Sequence, residues 1–240
     1  MIRLIIDGRV VEAKEGSTVL EAANQAKIRI PTICYHESLS SNGSCRVCTV
    51  EIMINGKSSL TTACTCPVES GMRISTDSAA AVNARALAIE LLLAQQPHSA
   101  EITEIARKLG IEKPSFKLKQ EECILCQLCV RTCHEIVCAD AITFQAKGKD
   151  RDIEEASVVH SREKCIGCGS CAFVCPTAAI TMDDTGNTRV IKTPSGNLNF
   201  KLKKCKICGM YWAPEKQIEY IAKISGMSIR EYDGCFDCRI

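Results

Sequence analysis

Aromatic residues are scarce: they make up 4 % of the 240-residue sequence, with a single Trp. That excludes a core built on large rings. An excess of one charge is lacking too. Thirty basic residues against 28 acidic ones leave a net charge of +2, which argues against a nucleic-acid binder with a basic face. No apolar run reaches the ~18–20 residues that cross a bilayer. The longest, from Ala86 to Ala94, is interrupted by Glu90. The N-terminus meets Asp7 and Gly8 too soon for a signal-peptide h-region, so a soluble cytoplasmic chain is the expectation. Walker, G-x-G-x-x-G and G-x-S-x-G motifs are all missing. With them go the usual signs of a nucleotide, flavin or nucleophile site.

What the sequence has in excess is cysteine, 18 in 240 residues. Cytosolic thiols stay reduced, so such a density reads as metal ligation. Fourteen of the 18 lie in C-x2-C or C-x3-C steps. Close pairs suit two ligands converging on one metal, and suit a web of long-range disulfides poorly.

The most specific signal is a pair of runs, Cys123-x2-Cys126-x2-Cys129-x3-Cys133 and Cys165-x2-Cys168-x2-Cys171-x3-Cys175-Pro176. This is the spacing of bacterial-type ferredoxins with two [4Fe–4S] clusters, in which the last cysteine of each run serves the other cluster. The expected sets are Cys123, Cys126, Cys129 and Cys175 for one, and Cys165, Cys168, Cys171 and Cys133 for the other. Gly167 and Gly169 are expected to let the backbone approach the sulfides. Two zinc sites are the alternative, less suited to two full runs in tandem.

The elements predict an α+β chain. Asp7-Gly8 marks a hairpin over residues 2–14. Thr18-x-x-Glu21 is a capping box opening a helix from Val19 to about Ile28. A strand at 47–54 turns at Asn55-Gly56, and Met72 to Ser75 closes the unit. Helices are expected over Ala79–Gln95 and Ala100–Leu109, the second ended by Gly110. Two halves follow, each a cysteine-rich loop, a short helix and an Ala-Ile strand start. A hairpin over 186–200 and a helix from about Pro214 to Ile224 complete the chain. The implied domains are 1–76, β-grasp-like; 77–114, a helical linker; 115–185, a double ferredoxin; and 186–240, a hairpin with a C-terminal metal-binding unit.

Ile30-Pro-Thr-Ile-Cys34-Tyr-His36, Cys45-Arg-Val-Cys48-Thr-Val-Glu and Thr62-Ala-Cys64-Thr-Cys66-Pro-Val give residues 1–185 a resemblance. The chain resembles the large iron–sulfur subunit of respiratory complex I and the diaphorase and electron-transfer subunits of NAD-linked, including bifurcating, hydrogenases and transhydrogenases. The resemblance implies a β-grasp [2Fe–2S] domain ligated by Cys34, Cys45, Cys48 and Cys64, with Cys66 as the alternative fourth ligand. It also implies a flavoprotein partner that oxidises NAD(P)H and a small [2Fe–2S] thioredoxin-like subunit. Ferredoxin or a hydrogenase or dehydrogenase would stand at the far end. One departure matters. The family carries a further [4Fe–4S] site, with one histidine and three cysteines, in the helical segment. Here no cysteine lies between Cys66 and Cys123, so that cluster is expected to be absent and His98 to be a surface residue.

Cys205-x2-Cys208 and Cys235-x2-Cys238 bracket the last helix. Four thiolates in two knuckles suit structural Zn²⁺ in a zinc-ribbon-like unit, a further iron–sulfur cluster, or a single iron. Lys203, Lys204 and Lys206 could offset their negative charge. Cys138 is left over and is expected to pack as a small apolar residue. The function expected is an iron–sulfur relay subunit of an NAD(P)-linked oxidoreductase complex, without a substrate site of its own. A free-standing multi-cluster electron carrier is the alternative.

Overall fold

The structure is a computed structural model that describes residues 1–118, 122–145 and 156–238. The chain forms two compact units, Met1–Cys126 and Gln127–Ile240.

In the first unit, β1 (Ile2–Ile6) and β2 (Arg9–Ala13) form an antiparallel hairpin, with Ile2 opposite Ala13 and Ile6 opposite Arg9. Asp7 and Gly8 both take left-handed backbone angles, φ 48° and 76°, as a two-residue primed turn requires. The strand alternation places Leu4, Ile6, Val11 and Ala13 in the core. Helix α1 (Val19–Gln25) opens on the expected capping box: Thr18 Oγ1 accepts from Glu21 N–H, and Glu21 Oε2 accepts from Thr18 N–H. It ends before Ile28, because Lys27 turns left-handed at φ 57° and Ile28 N–H bonds back to the Ala23 carbonyl at 2.8 Å. Glycine usually takes that position, and a lysine there leaves no trace in the sequence.

Strands β3 (Thr49–Ile54) and β4 (Lys57–Thr62) pair across the Asn55-Gly56 turn. The short β5 (Arg73–Ser75) lies between β1 and β3, parallel to the first and antiparallel to the second. The sheet order is β2-β1-β5-β3-β4. Helices α2 (Ala79–Gln95) and α3 (Ala100–Lys108) are capped by the Ser78 and Ser99 hydroxyls. Ile89, Leu92 and Leu93 of α2 pack with Ile102 and Ala106 of α3 and with Ile33 and Val47 of the cysteine loop.

The second unit begins with the short helix α4 (Leu128–Arg131) and a π-turn over Thr132–Ile136. Strands β6 (Ile142–Gln145) and β7 (Ser157–His160) pair antiparallel, and α5 (Ser170–Phe173) follows. Strands β8 (Thr181–Thr185), β9 (Thr188–Thr193), β10 (Gly196–Lys204) and β11 (Tyr211–Pro214) form a meander. The strand that closes the second cysteine half is therefore continuous with the hairpin after it, and residue 185 lies inside one sheet. Leu198, Phe200 and Leu202 alternate inward along β10. Helix α6 (Glu215–Ser225) starts after Pro214 and stops at left-handed Gly226. It packs Ile218 and Ala222 with Ala213 and Tyr232. The Tyr220 hydroxyl lies 2.8 Å from the Cys138 carbonyl and 3.2 Å from that of Val137, which ties the tail to the first cysteine half. Among the described residues no helix is long and apolar enough to cross a membrane.

Candidate metal centres

The loop before β3 and the turn after β4 bring four cysteines together in the first unit. Cys34, Cys48 and Cys64 are buried and Cys45 is half-buried. Cys48 Sγ lies 3.4 Å from Cys64 Sγ, and Cys45 shares a hydrogen bond with Cys34. Donation to a neighbouring sulfur, with burial behind it, pushes the Cys45 and Cys48 thiols up. Cys64, on the accepting side, is pulled down. Backbone N–H groups of Val47 and Cys34 reach Cys45, and that of Gly43 reaches Cys64. The donor set is soft, nearly dry and supplied with N–H groups, as a [2Fe–2S] centre requires. Cys66 faces elsewhere: its Sγ contacts the Pro67 carbonyl at 3.6 Å, and its other neighbours are Thr61 and Glu69.

In the second unit, Cys133, Cys165, Cys168 and Cys171 line one cavity. Its remaining walls are mostly apolar, among them Val137, Ala141, Ile142, Ile166 and Ile191. One cysteine thus comes from the first run and three from the second. Burial pushes the Cys171 thiol up to about 12. The Ala141 N–H points at Cys133 Sγ at 3.3 Å, and the N–H groups of Gly167 and Ala172 reach Cys165 and Cys171. Such donors favour thiolate over thiol. Cys129 and Cys175 also belong to this unit, whereas Cys123 and Cys126 close the first one.

The two runs share a backbone signature. Residues two and four places after the first cysteine are left-handed in both: Leu125 and Gln127 at φ 54° and 60°, Gly167 and Gly169 at 77° and 81°. The two glycines also lie against the sheet. A Cβ on Gly167 would lie 2.6 Å from the Phe200 ring, and one on Gly169 would overlap Met182 Sδ. Sheet side chains therefore press directly on the cysteine loop.

The tail gathers Cys205, Cys208, Cys235 and Cys238 with all sulfurs within 4.8 Å of one another. Three N–H groups, of Ile207, Cys208 and Cys235, point at Cys205 Sγ from 3.2–3.5 Å. They draw its pKa down to about 6. The lysines are less available than the sequence suggests. Lys203 and Lys206 both pair with Asp233, at 2.8 and 2.5 Å, and Lys204 lies over the Tyr211 ring. Lys201 pairs with Glu215 at 2.8 Å. Cys138 departs from expectation as well: it is exposed, because the chain leaves the π-turn through left-handed Cys138 at φ 57°. His98 is exposed.

Three domain models match the chain: a 2Fe-2S iron–sulfur cluster binding domain over residues 1–79, and two 4Fe-4S dicluster domains over 117–182 and 157–211. The NADP-reducing hydrogenase subunit HndD of Solidesulfovibrio fructosivorans is 32% identical over 211 residues, covering 75% of this chain and 36% of the relative. The NADPH-Fe(3+) oxidoreductase subunit alpha of Geobacter sulfurreducens is 30% identical over 205 residues, covering 75% and 24%. The NADH-ubiquinone oxidoreductase 75 kDa subunit of Reclinomonas americana is 30% identical over 206 residues, covering 75% and 29%. The chain is a homologue of these oxidoreductase subunits.

This homologue spans from just under a quarter to a little over a third of the length of those relatives. A solved NAD+-reducing [NiFe]-hydrogenase shares the fold at a TM-score of 0.58 and 24% identity, over 66% of this chain and 74% of that one. The present chain carries one 2Fe-2S and two 4Fe-4S dicluster domain matches, the marks of an iron–sulfur protein.

Several residues that shape the centres carried no sequence signal. The Ser44 hydroxyl lies 3.4 Å from the Cys126 carbonyl, linking the Cys45 loop to the first ferredoxin run inside one unit. Gln95 and Gln96, at the end of α2, donate to the Cys123 and Glu122 carbonyls, each at 3.2 Å. This amide clamp stands in the segment where the resemblance implies a further cluster. Arg189 grips both oxygens of Asp184 at 2.8 Å and donates to the Gly167 carbonyl at 3.2 Å. Apart from the Arg189–Asp184 pair, five residues apart, these are long-range contacts of ordinary polar residues.

Proposed function

We propose that this chain is a relay for single electrons within an NAD(P)-linked oxidoreductase complex. Iron–sulfur clusters supply one-electron chemistry, and the chain's own residues hold, insulate and order them. Cys34, Cys45, Cys48 and Cys64 hold the [2Fe–2S] centre. Cys123, Cys126, Cys129 and Cys175 hold one cubane, and Cys133, Cys165, Cys168 and Cys171 the other. The observation that carries the reading is the last of these sets, four thiols from two distant runs around one apolar cavity. The Ser44 link to the Cys126 carbonyl supports passage between the β-grasp centre and the first ferredoxin run without an intervening cluster.

The tail binds structural zinc in this reading. A single tetrahedral ion with Zn–S near 2.3 Å sets its sulfurs ~3.8 Å apart, and Cys208 and Cys235 are 3.7 Å apart. A cubane spreads its thiolates over four irons and asks for wider spacing. The partners are a flavoprotein that oxidises NAD(P)H, a small [2Fe–2S] thioredoxin-like subunit, and a second redox protein such as a ferredoxin, hydrogenase or dehydrogenase. A flavin partner that splits its electron pair would make the complex bifurcating.

Anaerobic metal analysis tests the cofactor set: about 10 Fe and one Zn per chain are expected from the cluster types. About 14 Fe without zinc would replace the zinc by a third cubane. Purification from the native host tests the complex. A chain that elutes alone, with full iron content, would favour the free-standing carrier.

A further inference from the structure

We infer that Arg85 sets the potential of the [2Fe–2S] centre: its buried guanidinium stabilises the added electron and makes the centre easier to reduce. The inference rests on the reading of Cys34, Cys45, Cys48 and Cys64 as ligands.

Arg85 sits in the middle of α2 yet is only 6 % exposed. Burying a charge without a counter-charge is costly, so its surroundings need an explanation. Its Nη1 donates to the Thr49 carbonyl at 3.1 Å, one residue beyond Cys48. Its Nε is buried and has no acceptor. Among the described residues no carboxylate forms an ion pair with it. The fields of Asp7 and Asp77 reach it, but both carboxylates are engaged elsewhere. Asp7 accepts from the Thr76 N–H and hydroxyl, each at 2.7 Å, and Asp77 accepts from the Ser75 hydroxyl at 3.1 Å. The remaining neighbour whose field acts on the guanidinium is Cys48, which would be a thiolate once it ligates the centre. Arginine stays protonated throughout the pH range in which proteins fold. The structure therefore holds one buried fixed positive charge, without an ion-pair partner among the described residues, tied to the carbonyl next to Cys48 of the four-thiol site.

A [2Fe–2S] centre with four thiolates is already anionic. When an external one-electron donor such as dithionite reduces it, the electron enters the iron pair, every iron–thiolate bond remains, and the net charge falls by one. A fixed cation nearby favours the more negative state. Salt screens it little, because the charge is buried. If Arg85 served only to tie α2 to β3 through the Thr49 carbonyl, the potential would not follow its charge.

The test is a redox titration of the full chain with its clusters assembled, followed by the [2Fe–2S] EPR signal. Wild type is compared with Arg85→Gln, Arg85→Met and Arg85→Lys. At the wild-type midpoint, the reduced-to-oxidised ratio should fall at least about tenfold in the neutral variants, which is 59 mV for a one-electron couple. Arg85→Lys should fall by less than about threefold, half that interval in volts. Unchanged midpoints in the neutral variants would overturn the inference. So would a lysine variant that falls as far as they do. If Arg85→Gln does not hold the centre, Arg85→Met fills the slot without a buried donor and decides. If neither holds it, a fall beyond threefold in Arg85→Lys overturns the inference and a smaller one supports it. A wild-type protein without the [2Fe–2S] signal would instead defeat the ligand assignment.

Discussion

Gly167→Ala should damage the second ferredoxin loop far more than the added methyl suggests. Gly167 has φ 77°, and an L-residue pays about 1–2 kcal/mol to adopt that conformation. The new Cβ would also sit 2.6 Å from Phe200 Cγ and 2.9 Å from both Cδ atoms. Phe200 is 8 % exposed and its strand is hydrogen-bonded on both edges, to β9 and β11. The ring therefore has little room to retreat, and overpacking adds about 1–3 kcal/mol. The sum is about 2–5 kcal/mol, a large part of the ~5–15 kcal/mol that holds a domain together. With a urea slope of ~1–3 kcal/mol/M, the midpoint for loss of the cluster absorbance should drop by about 0.7–5 M. Phe200→Ala provides the control. It is destabilising alone, by about 3–5 kcal/mol, but it removes the ring that the methyl strikes. The double variant should therefore be less damaged than the sum of the singles, by about 1–3 kcal/mol. Additivity within about 0.5 kcal/mol, or a Gly167→Ala cost below about 1 kcal/mol, would refute the account.

Three further outcomes follow from the same geometry. Gln127 occupies in the first run the left-handed position that Gly169 holds in the second, so Gln127→Gly should raise the stability read from urea unfolding by about 0.5–1 kcal/mol after the entropy of glycine is counted. Cys64→Ser should abolish the [2Fe–2S] EPR signal and Cys66→Ser should leave it; the opposite pattern means that Cys66 is the ligand. The Cys208 and Cys238 thiols are held up, Cys238 to about 12, so they are protonated at neutral pH and must release protons when zinc binds. Apparent zinc affinity should therefore rise steeply from pH 6 to pH 8; a flat profile in a chelator competition would mean that those thiols are not ligands.

Local chemistry was legible where one residue type has one job. Asp7-Gly8 and Asn55-Gly56 marked turns because primed turns demand left-handed backbone. Thr18 and Glu21 marked a helix start because both groups of the capping box are side chains. The spacing of the cysteine runs pointed to two-cluster ferredoxin domains, and dicluster domain models match there, over 117–182 and 157–211. Other features gave no warning. Lys27, Leu125 and Gln127 adopt the glycine conformation, and only the packed structure shows that something holds them there. Arg85, on an Ala- and Leu-rich helix, and Arg189, in a hairpin, belong to no sequence motif. Burial turned each inward. The basic stretch around Lys203 read as free charge because its partner, Asp233, is 27 residues from Lys206. Cys138 read as a packed thiol because thiols usually are, and a single left-handed turn exposed it.

Phe200 and Met182 cover the loop that carries Cys165, Cys168 and Cys171, and this imposes an order on assembly. A cluster delivered from the glycine side would have to arrive while β8 and β10 are still away, since the closed sheet occupies the space over both glycines. Chain direction favours that order. The cysteines through Cys175 leave the ribosome before residues 181–204 do, so the vessel is exposed before its lid is made. In the folded chain the same side chains would oppose loss of a bound cluster by that side, and refilling from it would first require the meander to open.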